Sequence, residues 1–213
     1  MKRKALLLDI DYTVHDNAKF KLLLCKDLKK RFNLPYQRVL SLYQNVLAES
    51  RYFKPELFIN TLSKELGDKY KKEIGSVLWL KARFDKTVYP DTKTFLKKLT
   101  KSVNIYIFSK GDKKFQTNKI QPLIKLIKFK KTIILKNKLS KLGQIIRGIK
   151  ENQIFLVDDS PEIVNQAKKI NKNIVAILIK RRNYNKNYDY QKSVLADYKV
   201  TNLTSAAKII ESY

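Results

Sequence analysis

The feature of this sequence that most limits its fold is a set of short, near-continuous apolar runs separated by longer stretches of helical periodicity. KALLLD (Lys4–Asp9), VNIYIF (Val103–Phe108), Thr132–Leu135, IFLV (Ile154–Val157) and IVAILI (Ile174–Ile179) carry little of the apolar–polar alternation of a half-buried strand. Strands apolar throughout are covered on both faces, and a parallel sheet between two helix layers is where they occur. The intervening segments read as helices: one bearing Phe95, Leu96 and Leu99, one after Asp112 broken near Pro122, one capped by Ser140 and one opened by Pro161. A polar loop, Arg181–Tyr190, precedes a short strand at Lys199-Val200 and a final helix through Ile210. The fold class expected is α/β, a parallel sheet with helices on both faces.

Residues 15–87 break this rhythm. From the N-cap Asp16, the residues Phe20, Leu23, Leu24 and Leu28 recur at helical spacing. Pro35 and Pro55 each suit the first position of a further helix, Gly67 suits a stop, and a last pattern runs through Ile74, Val77, Leu78 and Leu80. Only one strand precedes this block, so it reads as an α-helical cap inserted at 15–87 into a core formed by 1–14 and 88–213. The crossings near Val14–His15 and Lys86–Val88 are then hinges of low protection.

The polar residues that close the apolar runs converge on one rim, because sites in parallel sheets lie beyond the carboxyl ends of the strands. Asp9, Asp11 and Thr13 follow the first run, and Ser109 and Lys110-Gly111-Asp112 the second. Lys136, Lys138 and Lys141 surround the Ser140 helix start, and Asp158, Asp159 and Ser160 follow IFLV. Several carboxylates at one rim repel each other unless a cation neutralises them, and an all-oxygen set suits Mg²⁺. Asp9 and Asp11, two apart on an extended chain, project to the same side. One can attack phosphorus while the other serves the leaving oxygen as a general acid. Ser109 can bond a phosphoryl oxygen, and a lysine can offset the remaining charge.

Other metal chemistry has little to work with. Cys25 is the sole cysteine and His15 the sole histidine, against disulfides and Cys/His metal sites and in keeping with a cytoplasmic location. The start MKRKALLLDI has an apolar run too short for a signal peptide, and no stretch approaches the ~18 apolar residues of a membrane helix, so no membrane partner is expected. The net charge of +27 attracts polyanions and admits nucleic acid as a partner. Yet only 8 of the 46 basic residues are Arg, and the lysines are spread along the chain, as on a solvated surface.

The constellation resembles the haloacid dehalogenase superfamily of Mg²⁺-dependent phosphotransferases. Asp9-Ile10-Asp11-Tyr12-Thr13-Val14 matches its DxDxT[VL] motif, and Ser109 at the end of VNIYIF the second motif. A lysine ahead of the Ser140 helix fits the third motif, and VDDSPE (Val157–Glu162) the acidic fourth. The resemblance spans nearly the whole chain and implies a Rossmann-like core with a helical cap. It implies Asp9 as nucleophile and Asp11 as acid/base, with Ser109 and Lys138 completing the catalytic set and Thr13, Ser109 and Lys110 touching substrate. Asp9, Asp11 through its carbonyl, and Asp158 or Asp159 would hold Mg²⁺; the Gly-Asp form of the motif aligns Asp159 and the Asp-Asp form Asp158. Lys138, 20 residues before Asp158, is preferred as the motif lysine, with Lys136 and Lys141 open. Where many members place a second acid this chain has Ile163, leaving Glu162 one step early.

The implied function is Mg²⁺-dependent hydrolysis of a small phosphomonoester through an aspartyl-phosphate. The alternatives are a phosphatase of nucleotides or polynucleotide ends, and a basic nucleic-acid-binding protein on the same scaffold with weak or lost activity. For the latter, Tyr184, Tyr188 and Tyr190 among Arg181, Arg182 and Lys186 resemble a base-stacking strip, though a polar loop explains them too. Arg51, Tyr52 and Lys54 read as a solvated turn, His15 as a surface residue at the cap hinge, and Cys25 as core.

Overall fold

In the computed structural model, described over residues 4–186, 188–192 and 194–213, the first apolar run lies in the middle of the sheet. Residues 1–3, the start of the expected core segment, and Asn187, in the expected polar loop, lie outside the described residues. Strands β1 (Lys4–Leu8), β2 (Val103–Lys110), β3 (Lys131–Leu135), β4 (Gln153–Asp158), β5 (Val175–Ile179) and β6 (Tyr198–Val200) form one sheet in the order β3-β2-β1-β4-β5-β6. Every pairing is parallel, and β1 is bonded on both sides, Leu8 opposite Ile107 and Val157.

Successive residues of β1 enter opposite layers, as strand geometry requires. Leu6 and Leu8 join one cluster with Phe95 and Leu96 of α6 (Pro90–Leu99), Leu123 of α7 (Lys113–Ile124) and Ile210 of α10 (Leu203–Ser212). Ala5 and Leu7 join another with Leu142 of α8 (Leu142–Arg147) and Val164 of α9 (Pro161–Ile170). Coverage on both faces is the reason the runs of β1, β4 and β5 show no alternation. The Thr132–Leu135 run, in the edge strand β3, is instead exposed to half-buried rather than covered on both faces.

Between β1 and α6 come α1 (Asn17–Phe32), α2 (Tyr36–Ser50), α3 (Pro55–Leu66), α4 (Lys71–Leu78) and α5 (Lys81–Lys86). Asp16 caps α1 by accepting from the Lys19 amide at 2.9 Å. Pro55 opens α3, and Gly67, at φ 111°, ends it. These helices pack around an apolar cluster of their own, into which Phe115 of α7 also inserts, against Phe20, Phe53 and Phe84. Among the described residues no helix is long and apolar enough to cross a membrane.

Several details differ from expectation. The last helical pattern of the block is split at Trp79-Leu80 into α4 and α5. Pro122 does not break α7 but sits inside its last turn. Ser140 caps nothing: it lies in a one-turn 3₁₀ segment, Leu139–Lys141, and its own amide donates to Asn137 Oδ1 at 3.2 Å. The two crossings are stitched together rather than loose: Asp16 N donates to Thr87 O at 2.7 Å, and Tyr89 N to Val14 O at 3.0 Å. His15 is fully buried there, not at the surface, its Nε2 2.6 Å from Thr87 Oγ1 and its Nδ1 3.0 Å from Asn17 Oδ1.

Candidate active site

The carboxyl ends of β1, β2 and β4 lie side by side, so the residues that terminate them meet. Asp9 follows β1 directly, its amide bonded to Val157 O at 3.1 Å, and Asp158 is the last residue of β4. Carboxylate oxygens of Asp9, Asp158 and Asp159 lie within 4.8 Å of one another, and all three residues are buried. Lys138, next to the 3₁₀ turn and also buried, reaches between two of them: its Nζ donates to Asp9 Oδ1 at 2.6 Å and to Asp158 Oδ2 at 2.5 Å. Of the three lysines considered, only Lys138 takes this place; Lys136 is exposed on the wall of the same cavity, and Lys141 is exposed in the 3₁₀ turn.

One ammonium does not balance three buried carboxylates. Burial, followed by the charges of Asp158 and Asp11, pushes Asp9 up to about 7 against the opposing pull of Lys138. Burial and the charges of Asp9 and Asp158 hold Asp159 well above the usual carboxylate range. Burial opposes the charged form of Lys138, but the two aspartates outweigh it and raise its pKa. Asp9 Oδ2 and Asp159 Oδ2 are buried without a hydrogen-bond partner. Two unpartnered carboxylate oxygens in an all-oxygen cluster are the donor set of a hard divalent cation. The second oxygen of Asp158 is committed, accepting from Ser160 N at 2.9 Å, while Ser160 itself caps α9.

Asp11 has a different surrounding. Gln116 Nε2 donates to its Oδ2 at 2.8 Å, and Lys119 Nζ forms an ion pair with its Oδ1. Burial raises its pKa, but the Lys119 charge and the hydrogen bonds from Lys119 and Gln116 together outweigh that and hold the carboxyl below its usual range. Gln116 and Lys119 lie one turn apart on α7, and neither was singled out by the sequence, because their partner is over a hundred residues away. Gly111, at φ 146°, makes room for this contact: a Cβ there would lie 2.7 Å from Gln116 Nε2.

The loop Ile10–His15 is fixed from below. Arg181, beyond β5, donates to Thr13 O at 3.1 and 2.6 Å and to Asp91 Oδ2 at 2.7 Å, and its guanidinium lies 4.2 Å from the centre of the Tyr89 ring. Arg181 is therefore a buried clamp, not an open contact for nucleic acid. Ser109 Oγ is buried on the cavity wall without a partner; Thr13 Oγ1 is also buried and unpartnered, but Thr13 is not among the residues that line the cavity. Lys110 is exposed at the end of β2, on the cavity wall. Ile163 belongs to the apolar cluster under α9, and both it and Glu162 line the cavity.

Above the acidic floor opens a cavity of about 1190 Å³, closed on the far side by α1, α2 and the segment after it. Arg51 and Tyr52 line it, so the turn read as merely solvated faces the site; Lys54 is not among its walls. Tyr184 and Tyr188 also line it, and Tyr190 is buried behind them, 5.4 and 6.2 Å away between ring centres. The tyrosines thus do not form an external strip.

No protein-family model matches the sequence, and no curated protein matches it. Solved structures do. A haloacid dehalogenase-like hydrolase from Burkholderia xenovorans superposes with a TM-score of 0.77 at 19% identity, over 98% of this chain and 99% of that one. The HAD-family protein YfnB of Bacillus subtilis, bound to magnesium, superposes with a TM-score of 0.65 at 14% identity, over 99% of both chains. L-2-haloacid dehalogenase from Xanthobacter autotrophicus, with chloropropionic acid covalently bound, gives 0.63 at 11% identity, over 99% of both chains. At such identities the likeness speaks for architecture, and the chain has the fold of the haloacid dehalogenase-like hydrolases.

Proposed function

We propose that this protein is a Mg²⁺-dependent phosphatase that hydrolyses a small phosphomonoester through an aspartyl-phosphate on Asp9. The observation that carries the reading is the buried Asp9–Asp158–Asp159 cluster with unpartnered oxygens on Asp9 and Asp159. Buried charge of one sign is costly, and a divalent cation offsets it. Asp9, the Asp11 carbonyl and an oxygen of the Asp158-Asp159 pair would hold the ion. When bound, it supplies charge neutralisation at the phosphoryl oxygens.

The chain's own residues then divide the work. A carboxylate oxygen of Asp9 attacks phosphorus, the ester P–O bond breaks, and the leaving alkoxide takes a proton from Asp11. Water then attacks phosphorus, Asp11 takes its proton, and inorganic phosphate leaves with the Asp9 carboxylate restored. The Lys119 pair holds Asp11 ionised, the state the second step needs. A substrate dianion beside Lys119 competes for the ammonium and lets Asp11 carry the proton of the first step. Ser109 Oγ, buried and unpartnered, is free to donate to a phosphoryl oxygen, with Lys138 and Lys110 offsetting charge and Thr13 lining the motif loop. Helices α1–α5 serve as a cap that excludes water while Asp9 is phosphorylated. The buried, unpaired Cys25 suits a cytoplasmic setting.

A dehalogenase uses the same kind of carboxylate nucleophile, but a departing halide needs no proton. The second carboxylate at Asp11 and the acidic pair at 158–159 favour phosphate. A strand-binding role loses Arg181 to the clamp on Thr13. The test is release of phosphate from acetyl phosphate and p-nitrophenyl phosphate with Mg²⁺ or EDTA, beside chloride release from 2-chloropropionate. Phosphate release that stops in EDTA is expected. Full activity in the chelator, or chloride release alone, would overturn the reading.

A further inference from the structure

The geometry points to a mononucleotide as the substrate of this site, an inference that rests on the phosphatase reading and specifies the alcohol part of the ester. The cavity, at about 1190 Å³, exceeds the ~300–1,000 Å³ usual for small-ligand pockets. Its acidic floor is enough for a phosphoryl group and an ion, so most of the space belongs to whatever the phosphate is attached to.

The walls of that space are aromatic on both sides. The helical side presents Tyr52 beside a stacked pair, Tyr43 and Phe53, with ring centres 4.1 Å apart and planes 11° apart. The opposite contribution comes from Tyr184 and Tyr188 after β5, and Tyr12 enters from the motif loop. Aromatic faces hold a flat base by stacking and tolerate any base, whereas a sugar phosphate presents hydroxyls that such faces do not satisfy.

Backbone strain marks the same place. Among the described residues three non-glycines have positive φ: Tyr12 at 54°, Asn33 at 54° and Arg51 at 59°. Asn33 ends α1, an ordinary use of asparagine. Arg51 likewise ends α2 as its left-handed C-cap, whereas Tyr12 is a bulky residue at positive φ away from any helix end; both line the cavity. Strain of this kind persists where the side chain is needed. Arg51 makes no ion pair with a described residue, so its guanidinium is available to lie over a base.

A mononucleotide fits better than the end of a strand, because the tyrosines after β5 turn into the cavity and pack on the buried Tyr190. The test uses Asp9→Asn protein with Mg²⁺, in which binding is read without turnover. Equilibrium dialysis compares adenosine 5′-monophosphate, glycerol 3-phosphate, inorganic phosphate and a 5′-phosphorylated dodecamer. The nucleotide is expected to bind at least about tenfold more tightly than glycerol 3-phosphate. In the same background, Arg51→Gly and Tyr52→Ala should each weaken nucleotide binding about tenfold more than phosphate binding. Arg51→Gly should melt within a few degrees of its parent, since glycine suits that φ. Equal affinity for nucleotide and glycerol 3-phosphate, tighter binding of the dodecamer, or unchanged nucleotide affinity in Arg51→Gly would overturn the inference. Acetyl phosphate turnover by the unmodified protein reports separately: its absence beside nucleotide selectivity would sink the phosphatase reading and leave a nucleotide-binding site.

Discussion

Lys138 Nζ lies 2.6 Å from Asp9 Oδ1, joining residues 129 apart in sequence at the floor of the site. The same ammonium also holds Asp158, so one side chain from the β3–α8 connection ties the ends of two strands. This pairing gives Lys138 a part in stability besides the part proposed for it in the chemistry, and the two separate experimentally.

Lys138→Met should leave Asp9 and Asp158 as uncompensated buried acids. The expected cost is about 3–5 kcal/mol in the metal-free protein, measured by urea denaturation. Mg²⁺ should recover part of it, up to about 2.7 kcal/mol at a hundred times its Kd. A variant as stable as wild type in EDTA would show that the pair contributes nothing.

Asp9→Asn should lower phosphate release by at least roughly a thousandfold, because the amide cannot attack phosphorus. Removing one of three crowded acids should leave the metal-free fold no less stable. Near wild-type turnover in a steady-state assay would remove Asp9 as nucleophile.

His15 gives a pH dependence with a definite sign. Burial, the largest influence, and the nearby Lys119 charge lower its pKa from 6.5 to about 3, so it stays neutral in the folded chain. The unfolded chain binds the extra proton below about 6.5, so stability is lost as pH falls through the window from about 6.5 to about 3. The raised pKa of Asp9 works in the opposite direction, since protonation there favours the fold. The difference between wild type and His15→Gln isolates the histidine, and the variant's stability should fall less steeply with acid. Parallel curves in denaturant titrations from pH 7 to 4 would contradict it.

The crossings between the helical block and the sheet should be protected. The Asp16 and Tyr89 amides are bonded across the two crossings, to Thr87 O and Val14 O. Hydrogen exchange there should be roughly a hundredfold slower than at exposed loop amides. Any cap movement then turns about this stitched pair as a unit. Fast exchange at both amides would restore the picture of two loose hinges.

The sequence by itself determined the sheet and the acidic rim. Ala5–Leu8, Ile154–Val157 and Val175–Ile179 are buried almost completely, as runs without alternation in the middle of such a sheet must be, whereas Tyr106 of β2 is half-buried and the edge strand β3 is exposed to half-buried. Asp9, Ser109 and Asp158 follow from them, because a residue at the carboxyl end of such a strand can only reach that rim. What the tertiary structure alone decided are the partners: Lys119 and Gln116 on Asp11, Arg181 on Thr13, the burial of His15, and the turning of Arg51, Tyr52 and Tyr188 into the cavity. Each joins segments far apart in the chain, and neither residue of such a pair alters the local periodicity or capping that a sequence displays. A lysine on an amphipathic helix looks the same whether it meets water or a buried carboxylate, and packing of α7 against the motif loop made that choice.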